Sequence, residues 1–452
     1  MSQLIISVSG LRGIVGETLT PEVAVRYVAC FSSTLDAGPV LIGRDGRTTG
    51  PMLHAAVVSA IAASGREAID VGVIATPTLG VLVRHLNAAG GIQISASHNP
   101  APYNGLKLFG GDGRVLDAAS GAAIAQRYRG GEVTWCPFDK VGALRRADDP
   151  HESHLDAVLK TVDAGAIADR SFRVLLDSNH GAGGVLGQRL LRQLGCEVVS
   201  RGAEPTGLFD HPPEPTAENL AGIAKQVAAE RCAVGFCQDP DADRLALIDE
   251  RGRYIGEEAT LALCVRRAME VGRTGGPIVI NGATSSMSAR IAAEYSVDCH
   301  RSAVGEANVC DKMIATGAVY GGEGNGGPID PQVGYVRDSF VGMAAVLDLM
   351  TRSGKSLGEL ADELPPSFLC KEKAPADAGR LPEIFQQLEA QFADAKADRD
   401  DGLRLAWPDK WLLVRGSNTE PIVRMIAEAE DAETAAGLCQ TARQWIEQQE
   451  QR

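Results

Sequence analysis

Residues 172–200 read FRVLLDSNHGAGGVLGQRLLRQLGCEVVS. Within this stretch the spacing of apolar residues changes from that of a strand to that of a helix and back again. The apolar run FRVLLD predicts a buried strand, and the glycine-rich turn SNHGAGG separates it from VLGQRLLRQLG, whose apolar residues recur at helical spacing. The run CEVVS then predicts a second strand. A strand, a helix and a strand in this order form the repeating unit of α/β proteins, so this stretch predicts an α/β fold.

The same alternation of predicted strands and helices occurs on both sides of this stretch. Towards the N-terminus, the strand PVLIGRD (39–45) precedes a helix over 49–65 and the strands AIDVGVI and GIQIS. Towards the C-terminus, a helix over 257–272 precedes the strand PIVING and the helix SSMSARIAAEY. The sequence therefore predicts three α/β units that share a layout but not their residues.

The last part of the chain has a different pattern. The two prolines of ELPPSFLC (363–370) predict a linker, and a helix over 381–395 and the strands LRLAW and WLLVRG follow it. From Asp431 onward, apolar residues at helical spacing predict a final helix with one buried face, namely Ala435, Leu438, Cys439, Ala442 and Trp445.

Length and composition limit the classes of protein to consider. The 452 residues suggest about three domains of ordinary size. With 44 Lys and Arg against 58 Asp and Glu, the net charge is −14, and we expect no nucleic-acid partner. The ten cysteines form no CxxC pair and predict reduced thiols. The opening MSQLIISVSGLRG lacks the features of a signal peptide and no apolar run is long enough to span a membrane, which predicts a cytoplasmic protein without a membrane partner.

Three carboxylates alternate in the segment GFCQDPDADRLALIDERG (235–252), between two apolar runs. They are Asp239, Asp241 and Asp243. Like charges this close raise one another's pKa unless a cation neutralises them, and oxygen ligands suit Mg²⁺ or Ca²⁺. An EF-hand would use Glu250 as its twelfth residue, but Arg244 stands where its sharp turn needs glycine. The pattern favours a Mg²⁺ site open to a substrate phosphate, with a solvated acidic turn as the alternative.

A serine loop follows the strand GIQI. Ser97 stands at the end of this strand in SASHNP (95–100), and His98 or Lys107 would assist it as a nucleophile. The GxSxG elbow of the α/β-hydrolases is absent, so acyl transfer is disfavoured. The residues alone leave a second interpretation open, in which Ser97 is an ordinary turn serine.

A third polar segment, VRGSNTEPIVRMIAE, combines side chains that suit a phosphate. Arginine offers a planar fork of donors, and hydroxyl and amide groups serve the remaining phosphate oxygens. A surface turn with one ion pair is the alternative. Two glycine-rich segments fail as nucleotide motifs, because NHGAGGVLG has Leu186 where GxGxxG needs glycine, and the triplet at 354–356 has Leu349 in place of the first P-loop glycine.

Four separated motifs occur in one order: SASHNP (95–100), DPDADR (239–244), GGEGNGG (321–327) and RGSNTEP (415–421). Together they resemble the α-D-phosphohexomutase family, with support from SGLRG, GRDGRTTG, TPT, YNGLK and HPPEPTAENL. The resemblance covers nearly the whole chain. It implies three related mixed-sheet α/β domains over residues 1–147, 148–253 and 254–366, and a smaller C-terminal α+β domain over 367–452, arranged around a central cleft.

The resemblance also implies an activity and a site. The expected enzyme interconverts hexose 6-phosphate and hexose 1-phosphate through a phosphoserine at Ser97 and a 1,6-bisphosphate intermediate. Ser97 and the three aspartates, Asp239, Asp241 and Asp243, would hold one Mg²⁺. Arg244 would contact the phosphoserine, and Lys107, His98 and Arg12 are candidates for proton transfer and charge stabilisation.

The remaining site residues would bind substrate. The resemblance implies that Glu323 and Asn325 contact sugar hydroxyls. The non-reacting phosphate would be held by residues of the fourth motif and its flank, namely Arg415, Ser417, Asn418, Thr419 and Arg424.

The expected sugar follows from the third motif, which differs from the corresponding motif of many bacterial members of the family. No histidine follows Asn325, where many bacterial members have Ser-Gly-His, and the loop is similar to the archaeal-type branch of the family. We therefore expect glucosamine phosphate as substrate, with mannose or glucose phosphate as the alternative. A hexose 1,6-bisphosphate would act as activator, and the protein would be a monomer or a homodimer. A binding protein that has lost turnover and a Ca²⁺-binding module are the rival hypotheses.

Overall fold

A computed structural model describes residues 4–375, 378–416 and 422–450. The first unit contains seven strands and four α-helices. In chain order these are β1 (Ile5–Ser7), β2 (Gly10–Ile14), α1 (Pro21–Ser32), β3 (Val40–Arg44), α2 (Gly50–Ala63), β4 (Ala68–Val73), α3 (Thr76–His85), β5 (Gly90–Ile94), β6 (Tyr103–Gly110), α4 (Ala118–Gly130) and β7 (Leu144–Arg146). The strands form one mixed sheet in the order β1-β2-β6-β5-β3-β4-β7.

The second and third units share one sheet plan. The second unit contains α5 (Glu152–Leu159), α6 (Ala164–Arg170), β8 (Arg173–Asp177), α7 (Gly184–Gln193), β9 (Glu197–Arg201), α8 (Ala221–Ala229), β10 (Val234–Gln238) and β11 (Leu245–Asp249). The third contains α9 (Glu257–Glu270), β12 (Ile278–Asn281), α10 (Met287–Glu294), β13 (Cys299–Ser302), α11 (Glu306–Thr316), β14 (Tyr320–Glu323), β15 (Gly327–Ile329), α12 (Ser339–Ser353) and α13 (Leu357–Asp362). Each has three parallel strands and one antiparallel edge strand, in the orders β11-β10-β8-β9 and β13-β12-β14-β15. This likeness confirms the prediction of related α/β units.

The fourth unit has a different plan. It contains β16 (Phe368–Pro375), α14 (Leu381–Gln391), β17 (Lys396–Asp398), β18 (Leu403–Ala406), β19 (Trp411–Gly416), β20 (Ile422–Ala429) and α15 (Ala432–Glu450). The strands form an antiparallel sheet in the order β16-β20-β19-β18-β17, which is an α+β arrangement. The predicted apolar face of α15 is confirmed, since Ala435, Leu438, Cys439 and Ala442 are buried and Trp445 packs against the same core.

One local prediction was wrong. Residues 368–370 belong to β16 and not to a linker, because β16 pairs with β20 along its whole length, from Phe368 opposite Ala429 to Pro375 opposite Ile422. The linker is limited to residues 363–367, between the end of α13 and the start of β16. All ten cysteines are free thiols, as predicted. Among the described residues, no helix is both long enough and apolar enough to cross a membrane.

The central strands are continuous apolar runs in the sequence because both of their faces are buried. All five residues of β10 are buried, because helices cover both faces of the sheet. A single apolar cluster then runs from the second unit into the third and includes Phe236, Leu261 and Phe340. These two units therefore share one core.

The third and fourth units meet at a buried carboxylate. Glu428 of β20 is 5% exposed and accepts hydrogen bonds from Ser285 Oγ, Ser286 N and Ser367 Oγ at 2.7–3.0 Å. The indole Nε1 of Trp411 also donates to Glu428. A buried carboxylate with this many donors joins the fourth unit to the third.

We expect Glu428→Gln to loosen this junction. Glutamine has one acceptor oxygen in place of two, so some of the four donor groups lose their partner, at a cost of about 1–3 kcal/mol. Hydrogen exchange of the amides at 285–287 should accelerate by about tenfold or more. Glu430→Gln, an exposed change of the same type two residues away, is the control. Equal exchange in the two variants would contradict this account.

Candidate active site

Ser97 lies in a strained and buried loop between β5 and β6. Its φ is +49°, which is the left-handed region that a serine rarely adopts, and it is 2% exposed. Its backbone N–H donates to Ser95 Oγ at 2.9 Å, and Ser95 Oγ donates to Asp45 Oδ2 at 2.7 Å. The surrounding residues therefore hold the serine in a conformation that its own backbone disfavours.

Arg47 is the residue that fixes this loop. It is 2% exposed, and its Nε donates to Asp45 Oδ2 at 3.2 Å. Its two terminal nitrogens donate to four backbone carbonyl oxygens of the loop, those of Ser97 (2.6 Å), Asn99 (2.5 Å), Pro100 (2.9 Å) and Tyr103 (2.9 Å). The sequence shows Arg47 only as part of a glycine- and arginine-containing turn, so this role was missed.

The acidic loop between β10 and β11 meets Ser97 from the second unit. Asp239, Asp241 and Asp243 are fully buried, and each offers a carboxylate oxygen within 4.8 Å of the others. Ser97 Oγ donates to Asp239 Oδ2 at 2.7 Å. Thr76, at the start of α3 in the first unit, donates through Oγ1 to Asp241 Oδ2 at 2.6 Å. The serine and the three aspartates thus form one cluster across two units.

The carboxylates are neutralised by cations from two other parts of the chain. Lys107 Nζ lies 3.1 Å from Asp241 Oδ2 and 2.8 Å from Asp243 Oδ2. Arg337 Nη2, from the third unit, lies 2.7 Å from the same Asp243 oxygen. Burial alone would lower the pKa of Lys107, but the two carboxylates outweigh burial and raise the lysine pKa above its ordinary value.

The same competition between burial and neighbouring charges shifts the pKa values of Asp239 and Asp243 in opposite directions. Burial and the charges of Asp241 and Asp243 raise the pKa of Asp239 well above its usual range. Burial opposes ionisation of Asp243 as well, but Arg337 and Lys107 outweigh burial and hold its pKa low. Two oxygens of the cluster, Asp241 Oδ1 and Asp243 Oδ1, are buried and have no hydrogen-bond donor among the described residues. Buried acceptors without donors, in a set of carboxylates only, fit a hard divalent cation such as Mg²⁺.

Three further predicted residues surround Ser97. His98 Nδ1 lies 3.3 Å from Ser97 Oγ, and the charge of Arg244, burial and the charge of Arg12 lower the His98 pKa to about 2. Arg12 donates through Nη1 to Asn99 Oδ1 at 3.1 Å. The backbone N–H of Arg244 donates to Asp239 Oδ1 at 3.1 Å. The structure therefore places all five predicted catalytic residues around the acidic cluster.

The third motif lies beside the same cluster and is joined to it by Arg337. Glu323 ends β14 and accepts from Asn281 Nδ2 (2.7 Å) and Gly305 N (3.0 Å) through Oε1. Its Oε2 accepts from Arg337 Nη1 at 2.8 Å. Asn325 follows it, and Asn325 Oδ1 is a buried acceptor without a partner in the described part of the chain. Arg337 therefore bridges Asp243 and Glu323, a link that no local sequence pattern indicates.

The predicted phosphate clamp lies on the fourth unit. Arg415 of β19 pairs in register with Arg424 of β20, so two cationic residues are cross-strand neighbours. Nε and Nη2 of Arg415 donate to Asp401 Oδ1 at 3.2 Å each. The predicted residues Ser417, Asn418 and Thr419 lie outside the described residues. Two adjacent arginines suit an anion because their donors and charges act together.

Four consecutive segments of the chain match the families described as "Phosphoglucomutase/phosphomannomutase, alpha/beta/alpha domain" I, II and III and "Phosphoglucomutase/phosphomannomutase, C-terminal domain". The matched residues are 4–134, 152–252, 257–368 and 371–444. A "Phosphoglucomutase/phosphomannomutase" from Thermococcus kodakarensis is 36% identical over 433 residues, with 94% of each chain covered. The chain belongs to the phosphoglucomutase/phosphomannomutase family. A "Probable phosphoglucosamine mutase" from Methanopyrus kandleri is 34% identical and covers 95% of each chain.

Solved structures share this fold. A phosphoglucomutase/phosphomannomutase family protein from Burkholderia thailandensis superposes with a TM-score of 0.85 at 25% identity, covering 98% of both chains. An N-acetylphosphoglucosamine mutase from Aspergillus fumigatus, solved with GlcNAc-6P and magnesium, has a TM-score of 0.58 at 15% identity and covers 98% and 95% of the two chains. The family resemblance and the fold class predicted from the sequence are both confirmed.

We expect Arg47→Met to disrupt the serine loop. The change removes the guanidinium that pairs with Asp45 and donates to four carbonyl oxygens of the loop, which should lower the free energy of unfolding by about 3–5 kcal/mol. Urea denaturation measures this loss. Arg145→Met, which removes only an exposed ion pair to Glu67, is the matched control and should change the stability by less than about 0.5 kcal/mol. Similar losses in the two variants would show that Arg47 does not organise the loop.

We also expect Mg²⁺ to stabilise the folded protein, because a ligand that binds only the native state raises the melting temperature with its concentration. Asp241→Asn removes one of the three charges of the cluster. It should therefore require about tenfold more Mg²⁺, or a larger excess, for the same thermal shift. Asp169→Asn, an exposed change in α6 of the same unit, should behave as the unsubstituted protein. A Mg²⁺ response that is identical in both variants would place the metal elsewhere.

Proposed function

We propose that this protein is a phosphohexomutase that interconverts hexose 6-phosphate and hexose 1-phosphate through a phosphoserine at Ser97. The observation that carries the proposal is the 2.7 Å contact between Ser97 Oγ and Asp239, at the edge of three buried carboxylates. Phosphoryl transfer needs little covalent help from a protein beyond alignment and charge neutralisation, and this cluster supplies both. Membership of the phosphoglucomutase/phosphomannomutase family supports the same activity.

Asp239, Asp241 and Asp243 would hold Mg²⁺, which when bound neutralises charge on the transferring phosphoryl group. Lys107 adds a positive charge at the same place, because the neighbouring carboxylates keep it protonated. Arg244 and Arg12 raise the positive potential beside Ser97, as their effect on His98 shows. In this arrangement the three cationic side chains stabilise charge and do not accept protons.

In the first transfer, the bond between phosphorus and Ser97 Oγ breaks as a bond forms from phosphorus to a sugar hydroxyl oxygen. The hydroxyl proton must leave at the same time. His98 is the proposed carrier of this proton, because its Nδ1 lies 3.3 Å from Ser97 Oγ and can pass the proton to that oxygen as the bond between phosphorus and Oγ breaks. The second transfer reverses these steps with the other phosphate, after the hexose 1,6-bisphosphate has turned round in the cleft.

Arg415 and Arg424 would hold the phosphate that is not reacting, together with Ser417, Asn418 and Thr419. The cross-strand pairing of the two arginines supports this assignment. Glu323 and Asn325 would contact sugar hydroxyls, and Asn325 Oδ1, which has no hydrogen-bond partner among the described residues, is an acceptor available for this contact. One clamp must serve both orientations of the bisphosphate, because either phosphate occupies it in turn.

The proposed substrate is glucosamine phosphate. The third motif has no histidine after Asn325, and relatives at 31–34% identity are named probable phosphoglucosamine mutases. The relative at 36% identity is named for glucose and mannose phosphates, which favours these sugars as the second candidate. A hexose 1,6-bisphosphate would act as activator by phosphorylating Ser97. The cytoplasmic location and the monomeric or dimeric state stay predictions of the sequence.

The proposed domain limits are 1–147, 148–253, 254–366 and 367–452. They are supported by the sheets, since β7 is the last strand of the first sheet and β16 is the first strand of the fourth. The limit between residues 253 and 254 separates two sheets that share a continuous core.

Phosphorus NMR tests the function directly. The protein is mixed with Mg²⁺, a trace of glucose 1,6-bisphosphate and, in separate samples, the 6-phosphates of glucosamine, mannose and glucose. We expect a 1-phosphate signal to grow fastest from glucosamine 6-phosphate. Ser97→Ala should abolish the signal because the phosphoryl carrier is lost, and Ser59→Ala, an exposed serine of the same unit, should retain it.

Each result has a distinct meaning. Full turnover by Ser97→Ala would exclude the phosphoserine mechanism. Conversion of mannose or glucose 6-phosphate alone would move the preference to those sugars. Tight binding of the sugar phosphates without conversion, by a folded protein phosphorylated at Ser97, would favour a binding protein instead.

A further inference from the structure

We infer that Asp401 is a positioning residue that orients the clamp residue Arg415 and joins it to the sugar-binding side of the cleft. Its effect is to retain the bisphosphate intermediate while it turns round. The inference rests on the proposed function, because it assigns a role within that reaction. Asp401 lies in the turn between β17 and β18 of the fourth unit.

The two carboxylate oxygens of Asp401 serve two different units. Oδ1 accepts from Nε and Nη2 of Arg415, at 3.2 Å each, within the fourth unit. Oδ2 accepts from the backbone N–H of Val304 at 2.8 Å, in the third unit. The side chain of Asp401 is 20% exposed and that of Arg415 is 13% exposed, so neither is freely solvated. One carboxylate therefore sets the distance between the arginine and the third unit.

The contact at Val304 reaches the sugar-binding motif through the next residue. Gly305 donates its N–H to Glu323 Oε1 at 3.0 Å, and its φ of +123° is a conformation that favours glycine. Glu323 is bound in turn by Arg337, which also contacts Asp243. A continuous series of contacts thus leads from Arg415 to the proposed metal ligands.

This arrangement matters because of the intermediate. A hexose 1,6-bisphosphate that escapes takes with it the phosphoryl group that primes Ser97, so each escape leaves an inactive enzyme. Retention requires the fourth unit to stay docked while the reacting phosphate is released from the serine loop. A docked Arg415, already oriented by a charged partner, binds phosphate without the entropic cost of ordering its side chain.

Asp401→Asn tests this role with little change in shape. The amide has one acceptor oxygen, so its nitrogen must face either the donors of Arg415 or the N–H of Val304, and one contact is lost. We expect the bisphosphate concentration for half-maximal activity to rise about tenfold or more, and more bisphosphate to be released per turnover. At saturating bisphosphate, kcat should stay within about threefold of the unsubstituted value.

Asp400→Asn is the matched control, since Asp400 is the exposed neighbour in the same turn. It should leave the bisphosphate requirement unchanged. A merely structural contact would lower the melting temperature of Asp401→Asn without changing the ratio of bisphosphate release to turnover. That result, or an unchanged bisphosphate requirement, would overturn the inference.

A measurement on the unsubstituted protein gives an independent test. Glucose 1,6-bisphosphate should slow hydrogen exchange in the amides of residues 302–306, because a bound phosphate stabilises the docked arrangement. Unchanged exchange there would also overturn the inference. If the protein converts no hexose phosphate, the proposed function fails, whereas protection of residues 302–306 by the bisphosphate still supports the positioning role.

Discussion

The structure depends on the burial of three carboxylates within 4.8 Å of one another. An unpaired buried charge costs several kcal/mol, so the acidic loop is stable only where cations reach it. The cations do not come from the second unit alone, since Lys107 belongs to the first and Arg337 to the third. Three units are therefore held together by the same electrostatic requirement that creates the proposed metal site.

Different carboxylate oxygens of the cluster face the cationic side chains and the proposed metal site. The cluster can therefore join the units and bind a metal ion at the same time. Lys107 and Arg337 contact Oδ2 of Asp243, whereas Oδ1 of Asp241 and Oδ1 of Asp243 have no donor among the described residues. The structural cations and a metal ion thus need not compete for the same atoms. Ser97 stands at the junction because β5 delivers it to the carboxyl edge of the first sheet, where Asp239 accepts from its hydroxyl. A phosphoryl group on that oxygen would lie beside both kinds of positive charge.

The features that can be predicted from the sequence are those encoded by a local pattern of residues. The strand before Ser97 and the strands on each side of the acidic loop are short apolar runs, and three aspartates at alternate positions are visible within six residues. The stabilising partners come from distant segments: Arg47 is 50 residues from Ser97, and Arg337 is 94 residues from Asp243. The sequence around a single arginine does not indicate which distant residue it contacts, because the chain topology decides that contact. The start of β16 was missed for the same reason, because its pairing with β20 overrides the two prolines before it.

Arg337 directly precedes the N-cap residue of α12. Asp338, the next residue, caps α12 by accepting from the backbone N–H groups of Phe340 and Val341. Its other oxygen lies 2.8 Å from the buried ring of His154, which lies 2.9 Å from Thr78 of the first unit. The cap of α12 is thus linked through His154 to the first unit, and Arg337 is the residue directly before it. Among the residues that the structure describes, those of the fourth unit do not enter this network, and Glu428 and Asp401 contact the third unit instead. A domain movement that admits and releases substrate would therefore use the fourth unit while the first three keep the serine and the carboxylates aligned.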